Sequence, residues 1–526
     1  MKKFLFVAVL VLFLFMNLAA HEEDACTTIT VGKDATVDGS VITTHTCDSR
    51  QDRTWIDIAF AKKYKPGTMR KTYADSHRTV SAYNLAAQKL KGEMKQAPVT
   101  HKYLNTTLPC INEHQVAIGE ATFGGKKEMR SKNGIIDYYE LNRLMLERAT
   151  TAREAIKVAD EVTKEYGYND GGECFTIADP KEVWHFEIVG PGEGKKGAVW
   201  VARRVPDDHV SVNANASRIR QVDLSKPDFF MASENYKSRA VELGLYDPKS
   251  GKPFEFCYAY ASRKSMAARR REWRVFNLLA PSMDLDPNGV DFPFSIKPEK
   301  KVHPRDIMSI YRDTYEGTPF DMTKFMVVPE LDDHYKPTGK YVKSPYANPF
   351  MHYDMMPLFK INGGWNMMGE RCIARYYCTY ATVIQVRGWL PNEIGGLVWF
   401  GYDNPAMTAY APIYIGIEKV PESYKVCGRP GFNRASAWWA FNRVSDLAAQ
   451  KWGAMRHDVD KVRVEFEEKA FKKQEEIEEK ALALYKKNPK KARRFLTEYS
   501  NKWMIDLTKA YWKLGDDLWS KYTGKF

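Results

Sequence analysis

Apolar residues along the chain fall into three patterns, and each predicts a different kind of element. At the start, Met1, Lys2 and Lys3 precede an unbroken apolar run from Phe4 to about Met16, closed by Ala19 and Ala20. That is the layout of a removable secretory leader, and it is too short and wrongly flanked for a permanent membrane span. Strand-like runs come next. Residues 27–32 (TTITVG) are mostly β-branched and stop at Gly32, Asp38-Gly39 is a hairpin turn signal, and residues 40–46 (SVITTHT) read as the return strand. Further strands are expected over residues 116–121, 174–178, 183–189, 198–202 and 209–212. The third pattern is helical. Leu141, Leu144, Met145, Ala149, Ala152, Ile156 and Ala159 recur at helical spacing, and Thr151 with Glu154 makes a capping box, which predicts two helices joined near Thr150.

Residues 225–350 are rich in Pro, Asp and Lys and read as long surface loops around a few helices, one of them over residues 263–279. Strands return at residues 379–388 and 395–400, and from residue 438 onward the pattern is helical. Charged runs in that last segment predict solvated faces, with contacts in a homo-oligomer as the other use of such faces. No internal repeat is present. Strands, then helices, then more strands suit α+β layers better than a parallel βαβ array.

Composition narrows the class. A chain of 526 residues makes one large or two medium domains, and 44% hydrophobic with 13% aromatic residues fills a substantial core. The formal charge of +13 invites an anionic partner. No Lys/Arg block, zinc-finger spacing or RNA-binding signature accompanies it, so the expectation is a basic exported protein with no nucleic-acid partner. No apolar run after the leader reaches spanning length, so stable membrane insertion is not expected, and the leader's form points to a bacterial periplasmic or secreted location. Eight cysteines lie at positions 26, 47, 110, 174, 257, 372, 378 and 427, without a CxxC pair, which argues against a zinc site. Export permits disulfides, and Cys372 and Cys378 are close enough in sequence to pair.

Cys26 changes the picture most. Removal of residues 1–20 as a signal leaves residues 21–25 (HEEDA) as a short acidic propeptide ahead of it. If the chain is cut before Cys26, a thiol of pKa ~8.5 and an α-amine of pKa ~7.7–8.0 stand on one residue. That pair is a nucleophile with its own base, able to form a thioester that water then hydrolyses, without metal or organic cofactor. The plain alternative is a disulfide-bonded or buried cysteine. A lipid-anchored surface protein is the rival of another class, but lipoprotein signals need small and apolar residues where Glu23 and Asp24 stand.

The run Cys26-Thr27-Thr28-Ile29-Thr30-Val31-Gly32-Lys33, then Asp38-Gly39-Ser40 and Asp48-Ser49, resembles the cysteine dipeptidase family (dipeptidase A type) of the N-terminal-nucleophile hydrolases. The resemblance continues through Asn112-Glu113 with Val116-Ala117-Ile118, Ile177-Ala178-Asp179 before residues 183–187 (VWHFE), and Val205-Pro206-Asp207-Asp208. It extends to residues 215–219 (NASRI), the stretch LPNEIGGLVWFGYDNP, residues 411–414 (APIY) and Ala437-Trp438-Trp439, so it covers roughly residues 26–447. It implies a four-layer αββα sandwich over residues 26–447, with residues 448–526 as a helical C-terminal extension, removal of residues up to Ala25, and hydrolysis of dipeptides. It also implies three catalytic residues. Cys26 is the nucleophile, Asp48 orients the α-amine or holds the substrate amine, and Asn215 helps bind the oxyanion. Read alone, Asp48 is an Asp-Ser turn residue and Asn215 a turn or glycosylation residue. His45, Arg218 and Asn112 are the substrate-binding candidates. His45 stands where the family usually has Arg, so a group titrating near pH ~6.5 replaces a permanent bidentate cation. Glu120 is assigned an ordinary edge-strand role, and His185 reads as a core or surface histidine. An acylase of the same superfamily, cutting a non-peptide amide, shares all of this chemistry and stays open as the alternative.

Overall fold

A seven-stranded and an eight-stranded sheet, both antiparallel, organise the computed structural model, which describes residues 26–73, 89–262, 264–350 and 371–524. The expected signal and propeptide lie outside the described residues. Numbered in chain order within these sheets, the strands are β1 (Thr28–Val31), β2 (Val41–Asp48), β3 (Asp57–Ala59), β4 (Tyr103–Asn105), β5 (Ile111–Asn112), β6 (Ala117–Thr122), β7 (Glu173–Ala178), β8 (Val183–Val189), β9 (Val199–Arg204), β10 (Val210–Asn213), β11 (Phe230–Ala232), β12 (Ser295–Ile296), β13 (Cys378–Val386), β14 (Leu397–Tyr402) and β15 (Ala411–Tyr414). The first sheet runs β12-β10-β1-β2-β13-β14-β15, the second β11-β9-β8-β7-β6-β5-β4-β3. Helices of eight residues or more are α1 (Tyr138–Arg148), α2 (Ala152–Tyr166), α3 (Met266–Leu279), α4 (Pro304–Tyr311), α5 (Ala437–Gln450), α6 (Trp452–Lys487) and α7 (Pro489–Tyr522).

Every residue of β1, β2 and β13 is buried. An antiparallel strand buried on both faces has something packed on each side of it. On one side the second sheet meets it. Thr43 Oγ1 lies 2.8 Å from Thr176 Oγ1, and Thr30 Oγ1 lies 3.1 Å from His185 Nε2. On the other side Ile29, Ile42, Val383 and Trp399 share a core with Val275, Tyr311 and Ala470 from α3, α4 and α6. The second sheet in turn packs Ile118, Ile177 and Phe186 against Leu141, Leu144 and Ile156 of α1 and α2.

The two predicted helices near Thr150 are present, capped by Asp137 accepting from Glu140 N and by Thr151 accepting from Glu154 N. The C-terminal segment is helical as expected, but one stripe of it is core. Met455, Val459, Ala470, Ile477 and Ala481 of α6 are buried, and Phe471 stacks on Trp399 at 4.1 Å, whereas Glu475, Glu476 and Lys480 are exposed. Residues 225–350 hold more regular structure than their Pro, Asp and Lys content predicts. They contribute β11, β12, α3 and α4, and an exposed hairpin pairing Val327–Leu331 with Pro337–Lys343. Among the described residues no helix is long and apolar enough to cross a membrane.

The sheets come into close contact at Gly119. A Cβ built there would sit 2.7 Å from Thr176 Oγ1, closer still to the Thr44 carbonyl oxygen, and 3.2 Å from Thr28 Cγ2. The carbonyl belongs to the facing strand and cannot rotate away, so overpacking there has to push the sheets apart. Gly119→Ala is expected to cost about 1–3 kcal/mol. Urea unfolding of the variant checks this, and an unchanged midpoint would show that the sheets separate freely.

Candidate active site

The start of β1 and the end of β2 build the site. Thr27 bridges Thr46, with Thr46 N donating to Thr27 O at 3.0 Å, and the same register pairs Thr30 with Thr43. One further step places Cys26 opposite Cys47. Side chains alternate along a strand, so the two faces of this pair carry different groups.

Cys26, His45 and Cys47 point toward the second sheet. The Cys26 thiol donates to Glu120 Oε2 at 3.7 Å and hydrogen-bonds Cys47. His45 Nε2 is 3.7 Å from the same Glu120 oxygen, and His45 Nδ1 lies 3.1 Å from the Tyr380 hydroxyl. The Cys47 contact, burial and the charge of Glu120 push the Cys26 thiol well up. The same contact pulls Cys47 down, but burial and neighbouring charges outweigh it and leave that thiol at about 12. Burial alone lowers His45 to about 3, so the imidazole is neutral. Burial also raises Glu120, and burial with the Glu120 charge raises its neighbour Glu173 further, so the two carboxyls share a proton.

The opposite face carries the cations. Arg271 Nη1 donates to Cys26 O and Thr27 Oγ1, each at 2.8 Å, while Nη2 donates to Ala214 O at 3.1 Å and Asn215 Oδ1 at 2.9 Å. Tyr311 OH donates to Thr27 O at 2.9 Å. Asp48 ends β2, buried, with Oδ2 2.7 Å from Arg371 Nη2. Burial raises its carboxyl in spite of that partner. The Cys378 thiol is a further hydrogen-bond partner of this buried carboxyl. Asn215 takes a left-handed backbone, φ 62°, and one amide N–H goes to Thr122 O at 2.7 Å.

The profile of peptidase family C69 matches residues 25–465. The chain belongs to peptidase family C69. It is therefore a peptide hydrolase. A probable dipeptidase of Latilactobacillus sakei is 24% identical over 452 residues, covering 84% of each chain. Dipeptidase A of Lactobacillus helveticus is 24% identical over 442 residues, 82% of each chain. A probable dipeptidase of Salmonella dublin is 28% identical over 294 residues, 55% of this chain and 56% of that one.

In this peptidase the structure brings Cys26 and His45 together at Glu120, while Asp48 lies on the opposite face with Arg371, and Arg271 links Asn215 to the Cys26 carbonyl. The other two residues have scaffold contacts. Asn112 gives its amide to the Leu146 and Ala149 carbonyls, and its Oδ1 takes the His114 and Val116 N–H groups. Arg218 donates to the Val212 and Pro293 carbonyls, and its Nε lies 3.7 Å from Glu272. None of these bonds reaches the Cys26 group. Cys47, Arg271, Arg371 and Tyr380 carried no signal in their own spacing. Glu120 does not take the edge-strand role expected of it: it stands in the middle of β6, an interior strand of the second sheet, beside the thiol. All eight cysteines are free, Cys372 and Cys378 included. His185 is a core residue, bonded to Thr30 and lowered to about 3 by burial and then by Arg218.

His45 gives a pH test. Its folded pKa of about 3 lies below the unfolded 6.5, so the unfolded chain binds the proton first. The stability this neutral ring confers is intact above pH 6.5 and is lost as pH falls toward 3. Replacing His45 by Gln should flatten the stability profile by about 1.4 kcal/mol for each pH unit in that window. Urea midpoints at several pH values measure it; a variant with the parental slope would mean that His45 is protonated in place.

Proposed function

We propose that this C69 peptidase is an exported dipeptidase of the N-terminal-nucleophile type, with the stacked sheets and their flanking helices forming a four-layer αββα sandwich over residues 26–447. The dipeptidase names of its relatives across more than four fifths of the chain support the substrate class. The observation that carries the mechanism is the position of Cys26, two residues before β1, where its thiol faces a buried cluster.

In this reading, cleavage after Ala25 frees the Cys26 α-amine. The amine removes the thiol proton, and Sγ attacks the substrate carbonyl carbon. One Asn215 N–H and backbone N–H groups hold the resulting oxyanion. The amine then protonates the departing amino group as the C–N bond breaks, leaving a thioester on Sγ. Water, deprotonated by the same amine, attacks the thioester and releases the acid and the thiol. Asp48, a buried carboxyl at the end of β2, accepts from the α-ammonium in this reading. His45 stays neutral and serves as a donor or acceptor beside the thiol, so in this reading the substrate carboxylate needs a permanent cation other than His45.

Purified wild type should begin at Cys26, while Cys26→Ala should keep residues 21–25 and lose dipeptide hydrolysis. Asp48→Asn should lower kcat by about 10²-fold or more. N-terminal sequencing, intact mass and a panel of dipeptides against N-acyl amides read all three. Full activity in material that retains the acidic pentapeptide would overturn the mechanism, a preference for N-acyl amides would overturn the substrate class, and a diacylglycerol adduct on Cys26 would make it an anchor.

A further inference from the structure

A second group of ligating side chains lies at a surface cleft of about 390 Å³, lined by Glu113 and His114 together with Lys102, Glu393, Tyr485 and Arg493. His101 stands beside it. The backbone sets this arrangement. β4 and β5 pair Tyr103 with Asn112, and Glu113 N donates to Lys102 O at 2.8 Å. The next antiparallel step puts His101 opposite His114. Directly opposite residues send their side chains off the same face, within reach of each other.

The two rings meet there. His114 Nε2 is 3.1 Å from His101 Nδ1, with ring centroids 4.3 Å apart and planes at 77°. Glu113 Oε1 is 3.9 Å from the same His101 nitrogen, and one ligand atom from each residue falls within 4.8 Å of the others. Two imidazole nitrogens bound to one tetrahedral zinc at ~2.0–2.1 Å are about 3.3–3.4 Å apart, so the pair already stands near that spacing.

The scaffold holds each ligand. His101 N donates to Glu147 O at 2.9 Å, and Asn112 Oδ1 accepts from both His114 N and Val116 N at 3.0 Å. Glu113 Oε1 accepts from Lys102 N at 2.8 Å, the kind of outer hydrogen bond that orients a ligating carboxylate. The nearest ammonium is directed elsewhere, since Lys102 Nζ donates to the Ile415 and Ile417 carbonyls.

We propose that His101, Glu113 and His114 bind a divalent transition-metal ion, Zn²⁺ by their donor set, with the remaining position open to water from the cleft. The site shares no residue with the Cys26 group and does not depend on the dipeptidase reading. Cys26, His45 and Glu120 are the other described trio whose ligand atoms come within reach of one another, so the test removes that thiol.

Full-length Cys26→Ala protein, stripped by a chelator, is titrated with Zn²⁺ by calorimetry and with Co²⁺ by visible absorption. One ion per chain is expected, with the intense visible band of four-coordinate Co²⁺. Adding His101→Ala or His114→Ala should weaken binding by at least about tenfold, and Glu113→Gln should weaken it as well. Circular dichroism verifies that each variant is folded, and Glu113→Gln, a nearly isosteric change, keeps the test alive if a histidine variant is not. Equal affinity in the folded variants, or no saturable binding of either ion by the parent, would overturn the site.

Discussion

Arg271 Nη1 and Nη2 reach four acceptors on two strand ends, the Cys26 carbonyl and Thr27 hydroxyl at the start of β1 and the Ala214 carbonyl and Asn215 amide just past β10. Taking such a cation out of water costs several kcal/mol unless its donors are answered. Here they are, and although burial and then Arg371 lower the group to about 9, it keeps its charge at neutral pH. A lysine could not replace it, because a point charge lacks the planar fork that spans both strand ends at once. The next residue, Glu272, is fully buried and holds Lys264 Nζ at 3.3 Å and Arg218 Nε at 3.7 Å. Two consecutive residues of α3 thus lock that helix to the sheet, and the position of Cys26 follows from where α3 lies.

The alternation of β1 and β2 then separates the chemistry into two compartments. Thiols, a neutral imidazole and a proton-sharing carboxyl pair occupy the space between the sheets. Arg271, Arg371 and Asp48 occupy the helix side. Such a division leaves the thiol among groups that do not favour its ionised form. His45 holds a proton only in strong acid, and the Cys26 thiol is pushed up rather than down. A thiol in that state is a poor nucleophile. In the proposed mechanism the base comes from Cys26 itself, which ties activity to a liberated amine.

Much of this was legible in the residues. The β-branched runs became β1 and β2, the capping box marked the junction of α1 and α2, and the resemblance located Cys26, Asp48 and Asn215. The partners of Cys26 were not legible, for a reason of register. A two-residue turn at Asp38-Gly39 would pair Val37 with Ser40 and carry Cys26 opposite Gln51. Instead residues 33–40 leave the hairpin. Lys33–Ala35 form a 3₁₀ turn, Val37 N donates to Val302 O, and Asp38 takes Ser40 N and Gln385 Nε2. These contacts are long-range and shift the pairing by four positions. Arg271 was hidden differently. It belongs to a helix that the sequence does predict, but the charged stretch around it (AARRREWR) reads as solvated until the sheet end that buries it is known.

Register also explains why the two clusters of ligating side chains lie where they do. Cys26 with Cys47 lies one step, and His101 with His114 two steps, beyond an observed antiparallel pair, at the ends of short strands. In both places the ladder fixes the backbone while the strand end leaves the side chains room to meet a third group, Glu120 or Glu113. Because the side-chain period is two, a slip of one residue would send every one of these groups to the opposite face. Buried strands such as β2 make that slip costly, since it would expose His45 and Cys47 to the helix side and bring Thr44 and Thr46 between the sheets. The constraint that keeps the hydrophobic core in register is therefore the same one that keeps the thiol beside its partners, and chemistry at this site is inherited from packing rather than added to it.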